Sequence, residues 1–374
     1  MKILLIGNYA PLKNISMELY ADLLIAELEY KKIKADLLLP PVILGNFAFK
    51  NNFLIKWLGY IDRFILFLPF LNFISRKYDV IHICDHANSI YLLFLNTEKC
   101  LITCHDLHSV KSSFGFYKQH RIKFFGKIYN SLLIYSLKLS KCIVSVSNAT
   151  LEDLVKIIKI PKSNIVVIHN SLNFNFKKTD TKVSENFNLN ELIQHNIKYF
   201  LHVGGSAWYK NRQFVLDLFL KLREITEFQD YKLIFAGGKI TEFSMRDLSN
   251  HIESDQVICM QNPSSEILNI LYSRAEALIF PSISEGFGWP VIEAQACGCL
   301  VIASDIPSIR EISGGAIIFI DPNSIEKSFL NILNDYNRKN ILIDMGYKNI
   351  AKFDKELMIN KYIDLYYKIH NKYF

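Results

Sequence analysis

The stretch ALIFPSISEGFGWPVIEAQACGCLVIA, residues 277–303, has the order of a strand, a glycine turn, a helix and a second strand. Ala277–Phe280 is a short apolar run. Pro290 suits the first turn of a helix, because the N–H that proline lacks would be unsatisfied there. Leu300–Ala303 is the next apolar run. A strand–helix–strand unit of this kind predicts a parallel sheet.

The same alternation of apolar runs and helical patterns occurs on both sides of this stretch. A polar segment without sustained periodicity divides the runs into two sets, and we interpret it as a linker. Two such sets predict two doubly wound, Rossmann-like α/β domains facing each other across a cleft. The expected strands are Ile3–Ile6, Ala35–Leu39, Val80–Cys84, Cys100–Thr103, Cys142–Val146 and Ile165–Ile168, then Tyr199–Val203, Leu233–Ala236, Val257–Met260, Ala277–Phe280, Leu300–Ala303 and Ala316–Ile320.

The length of 374 residues also favours two domains. We place the first domain at residues 1–176, the linker at 177–195 and the second domain at 196–355. The chain is 50% apolar and 21% charged, as in a folded soluble protein. Its seven cysteines include no Cys-x-x-Cys pair, so we expect buried thiols in a reducing cytosol.

Neither terminal nor internal apolar segments predict membrane insertion. The N-terminal run is too short for a signal peptide and is typical of a first strand. The most lipid-like segment, Phe53–Ile74, is interrupted by charges and by Pro69, whereas a spanning helix needs about 20 apolar residues. We therefore expect a cytoplasmic protein.

Charge is unevenly distributed. Residues 1–195 contain 24 Lys and Arg against 15 Asp and Glu, and residues 196–374 contain 19 against 21. A basic half with an aromatic-rich segment is compatible with contact to an anionic membrane at its inner face. The alternative is a solvated basic face over a core helix. No recognition motif for nucleic acid accompanies the charge, so we expect no nucleic-acid partner.

Several cofactor and metal motifs do not occur in the sequence. There is no P-loop and no complete Gly-x-Gly-x-x-Gly, which argues against a nicotinamide or flavin enzyme. There is also no Asp-x-Asp pair to hold a metal ion on a nucleotide. We therefore expect neither a metal site nor a resident cofactor.

The segment LHVGGSAWYKNR, residues 201–212, places basic residues after a strand. Gly204 and Gly205 allow a close approach of the backbone to a ligand. Lys210 and Arg212 stand where a helix begins, and both the cations and a helix N-terminus favour an anion. The segment predicts a phosphate site, the alternative being a turn with solvated basic residues.

The segment EGFGWPVIE, residues 285–293, carries two acids around a glycine turn. The backbone N–H groups of Gly286–Gly288 point towards a ligand above the strand. We place Glu285 in the loop and Glu293 in the first helical turn, so they should contact different parts of an extended ligand. Carboxylates accept hydrogen bonds from hydroxyls. A ligand with hydroxyls near both acids and phosphate between them would match this arrangement, and a nucleotide sugar is such a ligand.

A third set of residues lies at strand ends of the first half. In LITCHDLH, His105 follows an apolar run and should therefore lie at the carboxyl end of a strand. His82 and His86, in HICDH, are weaker candidates. An isolated histidine is more often structural, but the position of His105 favours a functional role.

These segments resemble the retaining GT-B glycosyltransferases of group 1, or family 4. The segment FPSISEGFGWPVIEAQACGCLVIASD resembles their donor-site signature, in which two glutamates bracket seven residues. LHVGGSAWYKNR resembles their strand–loop–basic segment, and TCHDL resembles their first-domain histidine motif. IVSVSNATLEDL followed by IVVIHNSL is similar to the family's last stretch before the linker. The resemblance covers nearly the whole chain.

The resemblance implies a donor bound mainly by the second domain. Glu285 should lie near the hydroxyls of the donor sugar and Glu293 near the ribose. Lys210, supported by Arg212, should hold the diphosphate, and His105 should lie near C6 of the sugar. We assign catalytic roles to Glu285, His105 and Lys210.

The remaining implied contacts are less specific. The further donor-binding residues are Gly204, Gly205, Gly286, Phe287, Gly288, Met260 and Gln261, and the acceptor-side residues are Asn8, Asp85, His86 and Asp106. The C-terminal segment, residues 356–374, should be a helix that crosses back to the first domain. The chain departs from the family where Ser206 follows Gly205, since many members have an arginine there.

The predicted activity is metal-independent, retaining transfer of a hexose from a UDP- or GDP-sugar to a glycan or lipid-linked glycan, in surface polysaccharide biosynthesis. Alternatives are a nucleotide-sugar epimerase or a phosphorylase of the same fold, and a non-catalytic subunit that binds a partner.

Overall fold

The computed structural model describes residues 1–48, 52–179, 197–238, 256–320, 333 and 335–372. The chain divides into two compact units. The first unit comprises Met1–Asn173 and Lys355–Phe374, and the second comprises Phe174–Asp354. Most of the predicted linker, residues 180–195, lies outside the described residues.

The first unit contains a parallel sheet, of six strands in the part of the chain described, with the order β2-β1-β3-β4-β5-β6. The chain builds outwards from β1 to β2 and then continues on the other side with β3. The order therefore reverses between β1 and β3, which is where open α/β sheets bind ligands at their carboxyl ends. The strands are β1 Lys2–Ile6, β2 Lys34–Leu38, β3 Val80–Ile83, β4 Cys100–Cys104, β5 Cys142–Ser145 and β6 Ile165–Val167.

Helices connect these strands and cover the sheet. Their inner faces supply large side chains such as Phe67 and Leu137 to a core that also contains Ile102 of β4. The α-helices are α1 Ile15–Tyr30, α2 Asn52–Ile61, α3 Phe67–Ser75, α4 His108–Ser113, α5 Phe124–Leu139 and α6 Asn148–Asp153. Helix α6 is capped by Ser147, whose Oγ accepts from the N–H of Thr150.

The second unit contains another parallel sheet, with the order β12-β11-β10-β7-β8-β9 among its described residues. Here the reversal lies between β7 and β10. The strands are β7 Tyr199–Gly204, β8 Lys232–Gly237, β9 Val257–Gln261, β10 Ala277–Phe280, β11 Val301–Ala303 and β12 Ile318–Phe319. The helices are α7 Arg212–Arg223, α8 Ser265–Arg274, α9 Trp289–Ala296, α10 Pro307–Ser313 and α11 Tyr336–Ile350.

The C-terminal helix α12, Lys355–His370, belongs to the first unit. Its buried Tyr362 shares a hydrogen bond of 2.5 Å with the hydroxyl of Tyr20 on α1. Its buried Tyr366 lies 2.8 Å from Nδ1 of His82 on β3. The helix thus joins the first unit through hydroxyl contacts as well as apolar packing, and the predicted return of the chain is confirmed.

The strand predictions are confirmed to within a few residues at each end. One prediction about the cysteines is wrong. Cys259 on β9 is exposed, while the other six cysteines are buried, and all seven are free thiols.

Within the described residues, no helix is both long and apolar enough to cross a membrane.

Candidate functional site: two sheet edges

In the second unit, two predicted residues meet at the point where the strand order reverses. Lys210 follows β7, Glu285 follows β10, and these strands are neighbours. The Lys210 Nζ donates to Glu285 Oε1 over 2.7 Å. The two side chains are only 13% and 9% exposed, so little water screens the pair. The structure therefore brings the predicted phosphate cation and the predicted sugar-binding acid together.

The N-terminus of α9 lies immediately beyond Glu285. Gly288 precedes the helix with a φ of 109°. A Cβ on Gly288 would stand 2.6 Å from Cδ1 of Ile309, so both the backbone angle and the packing require glycine. Pro290 lies in the first turn, as predicted. Phe287 is buried and packs against Phe353, so its predicted donor contact depends on its backbone N–H.

Glu293 lies deeper than the sequence indicates. It is the fifth residue of α9, so its predicted position in the first turn is wrong. It is 6% exposed and accepts a hydrogen bond of 2.7 Å from the hydroxyl of Tyr272 on α8. Burial raises the pKa of Glu293 to about 7, although the Tyr272 hydrogen bond and the charge of Lys210 oppose the rise.

Arg212 contacts the protein backbone in this structure. Its Nη2 donates to the carbonyl oxygens of Gly204 and Gly238, over 2.6 and 3.0 Å. Gly204 is the last residue of β7 and Gly238 follows the neighbouring strand β8, so Arg212 holds the ends of the two strands together. Its predicted phosphate contact stays a prediction, and Lys210 is the cation that the structure places beside Glu285.

The glycines beside Arg212 are close to one another. Gly237 has a φ of 136°, and a Cβ there would stand 2.2 Å from the carbonyl oxygen of Gly204. Gly205 has open space around its Cβ position. Only glycine at 237 therefore allows β7 and β8 to end side by side.

The predicted base-binding residues lie at the edge of the same sheet. Met260 and Gln261 pair with Ala236 and Gly237 on β8, and Gln261 is exposed. Strand β9 is separated from β7 by β8. The two residues thus share the carboxyl edge with Lys210 but stand further along it.

In the first unit, the predicted acceptor-side residues also meet where the strand order reverses. Asn8 follows β1 and Asp85 follows β3, and the Asn8 Nδ2 donates to Asp85 Oδ2 over 2.7 Å. Asn88 Nδ2 donates to Asn8 Oδ1 over 2.6 Å, and Arg63 Nη2 donates to Asn88 Oδ1 over 2.8 Å. His86 Nδ1 lies 3.2 Å from Asp85 Oδ1. All five side chains are buried.

The charges of this cluster stabilise one another. Burial alone would raise the pKa of Asp85, but its close contact with His86 and the histidine charges lower it overall. Burial alone would lower the pKa of His86, but the Asp85 contact raises it overall. The cluster therefore favours an ionised Asp85 beside a more basic His86.

His105 lies at the end of β4 and is 5% exposed. Its Nε2 lies 2.9 Å from the carbonyl oxygen of Cys84, which can only accept, so Nε2 carries a proton. Its ring meets the edge of Tyr20 at 4.6 Å between centroids. Burial lowers the pKa of His105, which favours the neutral imidazole. Asp106, the next residue, accepts from the N–H of His108 over 2.9 Å.

Sequence reasoning missed several residues that hold these groups in place. Tyr272 gives no sequence signal, because it lies on an ordinary amphipathic helix. Arg63 lies in the segment Phe53–Ile74, for which a core helix was the alternative interpretation, and Asn88 was not a candidate. Gly237 and Gly238 follow a strand in the same way as Gly204 and Gly205, and that repetition was a usable signal.

The described residues contain no cluster of three or more His, Cys, Asp or Glu side chains suited to a metal ion.

Two parallel sheets, each with polar residues where its strand order reverses, are the two-domain, Rossmann-like architecture of the GT-B fold. Residues 38–176 match the model of Glycosyltransferase Family 4, and residues 184–349 match the model of glycosyl transferases group 1. The chain is 31% identical over 282 residues to the O-antigen chain mannosyltransferase RfbU of Salmonella typhimurium, which covers 74% of this chain and 70% of that protein. The chain belongs to the group 1 glycosyl transferases.

Two further similarities extend this result. The chain is 23% identical over 287 residues to the O-antigen chain mannosyltransferase B of Escherichia coli, with coverage of 75% of this chain and 73% of that protein. The crystal structure of Anabaena HepE in complex with UDP and glucose aligns with a TM-score of 0.71 and 14% identity. That alignment covers 98% of this chain and 99% of HepE, and it supports the fold.

Proposed function

We propose that this glycosyltransferase moves a mannosyl residue from a nucleoside diphosphate sugar to a growing surface glycan, with retention of configuration. We infer the donor site from the Lys210–Glu285 pair at the point where the strand order of the second sheet reverses. The Lys210 Nζ and Glu285 Oε1 atoms of this pair lie 2.7 Å apart. The mannosyl group is supported by the two mannosyltransferase relatives.

The donor contacts follow from the chemistry of the groups at this edge. Lys210 and the backbone N–H groups of Gly286–Gly288, next to the N-terminus of α9, stabilise negative charge on the departing diphosphate. Glu285 accepts hydrogen bonds from sugar hydroxyls once the donor has drawn Lys210 towards phosphate. Glu293 is proposed to accept hydrogen bonds from the hydroxyls of the ribose. These fixed positive groups supply the charge stabilisation that makes the reaction metal-independent in this proposal.

The acceptor groups are assigned to the first unit. The Asn8–Asp85–His86 cluster presents donors and acceptors suited to a glycan hydroxyl. We propose that the glycan is lipid-linked and held at the cytoplasmic face of the membrane. We propose that retention arises because the acceptor hydroxyl attacks from the face that the diphosphate leaves, and the departing phosphate then accepts the hydroxyl proton. No carboxylate is assigned as the nucleophile of a double displacement.

The test combines donor binding with product analysis. A thermal-shift panel of GDP, UDP, ADP and their sugars identifies the donor base. Transfer from the α-linked donor that binds should then give an α-linked product by NMR. A β-linked product would refute retention. Conversion of the donor sugar without an acceptor would instead support the epimerase alternative.

A further inference from the structure

The outer surface of the first unit has an unusual composition along helix α5. A helix on a water-facing surface normally directs polar residues outwards. On α5 the outward face is apolar, since Phe124, Ile128, Leu132 and Tyr135 are exposed at helical spacing. Phe124 is 71% exposed. The inner face of the same helix is anchored by buried Asn130, which donates to the carbonyl oxygen of Ser109.

Helix α2 extends this apolar surface. The ring of Trp57 meets the ring of Phe125 at 5.4 Å between centroids. Leu54, one turn before Trp57, is also exposed. We define the apolar surface as Leu54, Trp57, Phe124, Phe125, Ile128, Leu132 and Tyr135. Seven exposed large apolar side chains on two adjoining helices form a patch of the kind that marks an interaction site.

The charges around the apolar surface are almost all positive. Residues 107–151 contain seven Lys and Arg and no Asp or Glu. Residues 52–77 contain four Lys and Arg, of which Arg63 is buried, and their one acid, Asp62, is 0% exposed. The buried Asp62 carboxylate accepts a hydrogen bond of 2.6 Å from the hydroxyl of Tyr9. The exposed cations close to the N-terminus of α5 are Lys118, Arg121, Lys123 and Lys127.

We propose that the apolar surface and these four cations dock the protein on an anionic lipid bilayer. Aromatic rings suit the interface between headgroups and acyl chains, and each nearby Lys or Arg adds attraction to an anionic leaflet. A protein partner of matching acidity, or a second copy of the chain, would be the alternative occupants. A second copy is disfavoured because it would bring two basic surfaces together.

The surface is joined to the candidate acceptor site. Tyr129, on the inner side of α5, donates to the carbonyl oxygen of Ala87 over 2.5 Å. Ala87 in turn donates its N–H to Asp85 Oδ1 over 2.9 Å. A bilayer on this surface would therefore lie beside the groups assigned to a lipid-linked acceptor. That last step rests on the proposed function, whereas the docking surface does not.

The test is co-sedimentation of the full chain with vesicles of phosphatidylcholine alone or mixed with phosphatidylglycerol. We expect binding to the anionic vesicles, weakened by high salt. The double variant Phe124→Ser, Phe125→Ser and the quadruple variant Lys118→Gln, Arg121→Gln, Lys123→Gln, Lys127→Gln should each bind at least about 10-fold more weakly.

The matched control is Tyr336→Ser, Ile341→Ser, which removes two exposed apolar side chains from α11 of the second unit. It should bind vesicles as the wild type does. Equal binding by the Phe124, Phe125 variant and the wild type would overturn the proposal. So would a dimer, seen by light scattering without vesicles, that this variant alone abolishes.

Vesicle binding needs no nucleotide, so the two proposals can fail separately. Vesicle binding without sugar transfer would leave the docking surface standing and refute the proposed function. If the Phe124, Phe125 variant still transfers sugar to a soluble acceptor but no longer binds vesicles, the result would support both the proposed function and the docking surface.

Discussion

Lys210 Nζ and Glu285 Oε1 lie 2.7 Å apart and come from two neighbouring strands at the reversal point of the second sheet. Each side chain satisfies the charge of the other before any donor binds. A diphosphate would therefore replace Glu285 as the partner of Lys210. In the proposed function, one ion pair would therefore serve both the phosphate and the sugar.

Removal of the cation should weaken nucleotide binding. We expect Lys210→Ala to bind GDP or UDP about 10- to 100-fold more weakly, because a charged hydrogen bond contributes about 1.5–3 kcal/mol. Isothermal calorimetry measures the change. Lys221→Ala, which removes an exposed lysine from the end of α7, is the control and should bind normally. Equal affinities of the two variants would exclude Lys210 as the phosphate ligand.

Removal of the acid should affect transfer more than binding. We expect Glu285→Gln and Glu285→Ala to lose about 100-fold or more in transfer rate, while nucleotide affinity is kept or increased because Lys210 loses its competing partner. The rate is measured by release of nucleotide in the presence of acceptor. Glu276→Gln, which interrupts the ion pair with Lys339, should transfer normally. Full activity of Glu285→Ala with any donor would disprove the assignment.

The glycines of the second unit give a prediction that separates folding from binding. Gly237→Ala should destabilise the protein by about 1–3 kcal/mol, because the backbone angle and the Gly204 carbonyl both exclude a Cβ. Gly205→Ala should keep its stability, since its Cβ position is open. If Gly205 contacts the donor as predicted, that variant should still bind nucleotide more weakly. Thermal unfolding and calorimetry on the same samples distinguish these effects.

The sequence predicts the two sheets well because each strand is a short apolar run between turn residues. It also locates Lys210 and Glu285, since the loop that follows a parallel strand begins at the carboxyl edge of the sheet. It could not predict that Arg212 would contact carbonyl oxygens or that Tyr272 would contact Glu293. Those contacts depend on how helices pack over the sheet, and residues 272 and 293 are joined only by that packing.

Glu293 should make stability depend on pH. Its pKa is raised to about 7 in the folded protein, from an ordinary value of 4.5. Between these values the unfolded chain loses the proton first, so the contribution of Glu293 to stability declines as pH rises. Glu293→Gln should remove this decline. Between pH 4.5 and 8, its free energy of unfolding should increase by about 3 kcal/mol relative to that of the wild type. Urea unfolding at several pH values measures the difference, and a pH-independent difference would contradict the prediction.

His82 should have the opposite effect in the first unit. It is fully buried between Tyr366 and Thr103, at 2.8 Å from each hydroxyl, and stacks on Tyr362 of the C-terminal helix. Burial, with a smaller effect of the His105 charge, lowers the pKa of His82 from 6.5 to about 3. Between these two pKa values, the unfolded chain binds a proton on His82 and the folded protein does not. The free energy of unfolding therefore decreases as the pH falls from 6.5 to about 3.

His82→Gln should remove about 1.4 kcal/mol per pH unit of that acid dependence, the value for one proton. Hydrogen exchange of peptides from β3 and α12, at pH values from 4 to 7, reports the local free energy of opening in the first unit. His370→Gln, at the exposed end of α12, is the control and should keep the wild-type slope. An unchanged slope in His82→Gln would mean that the folded protein takes up the proton at His82. The hydroxyls of Tyr366 and Thr103 would then have to accept from a charged imidazole.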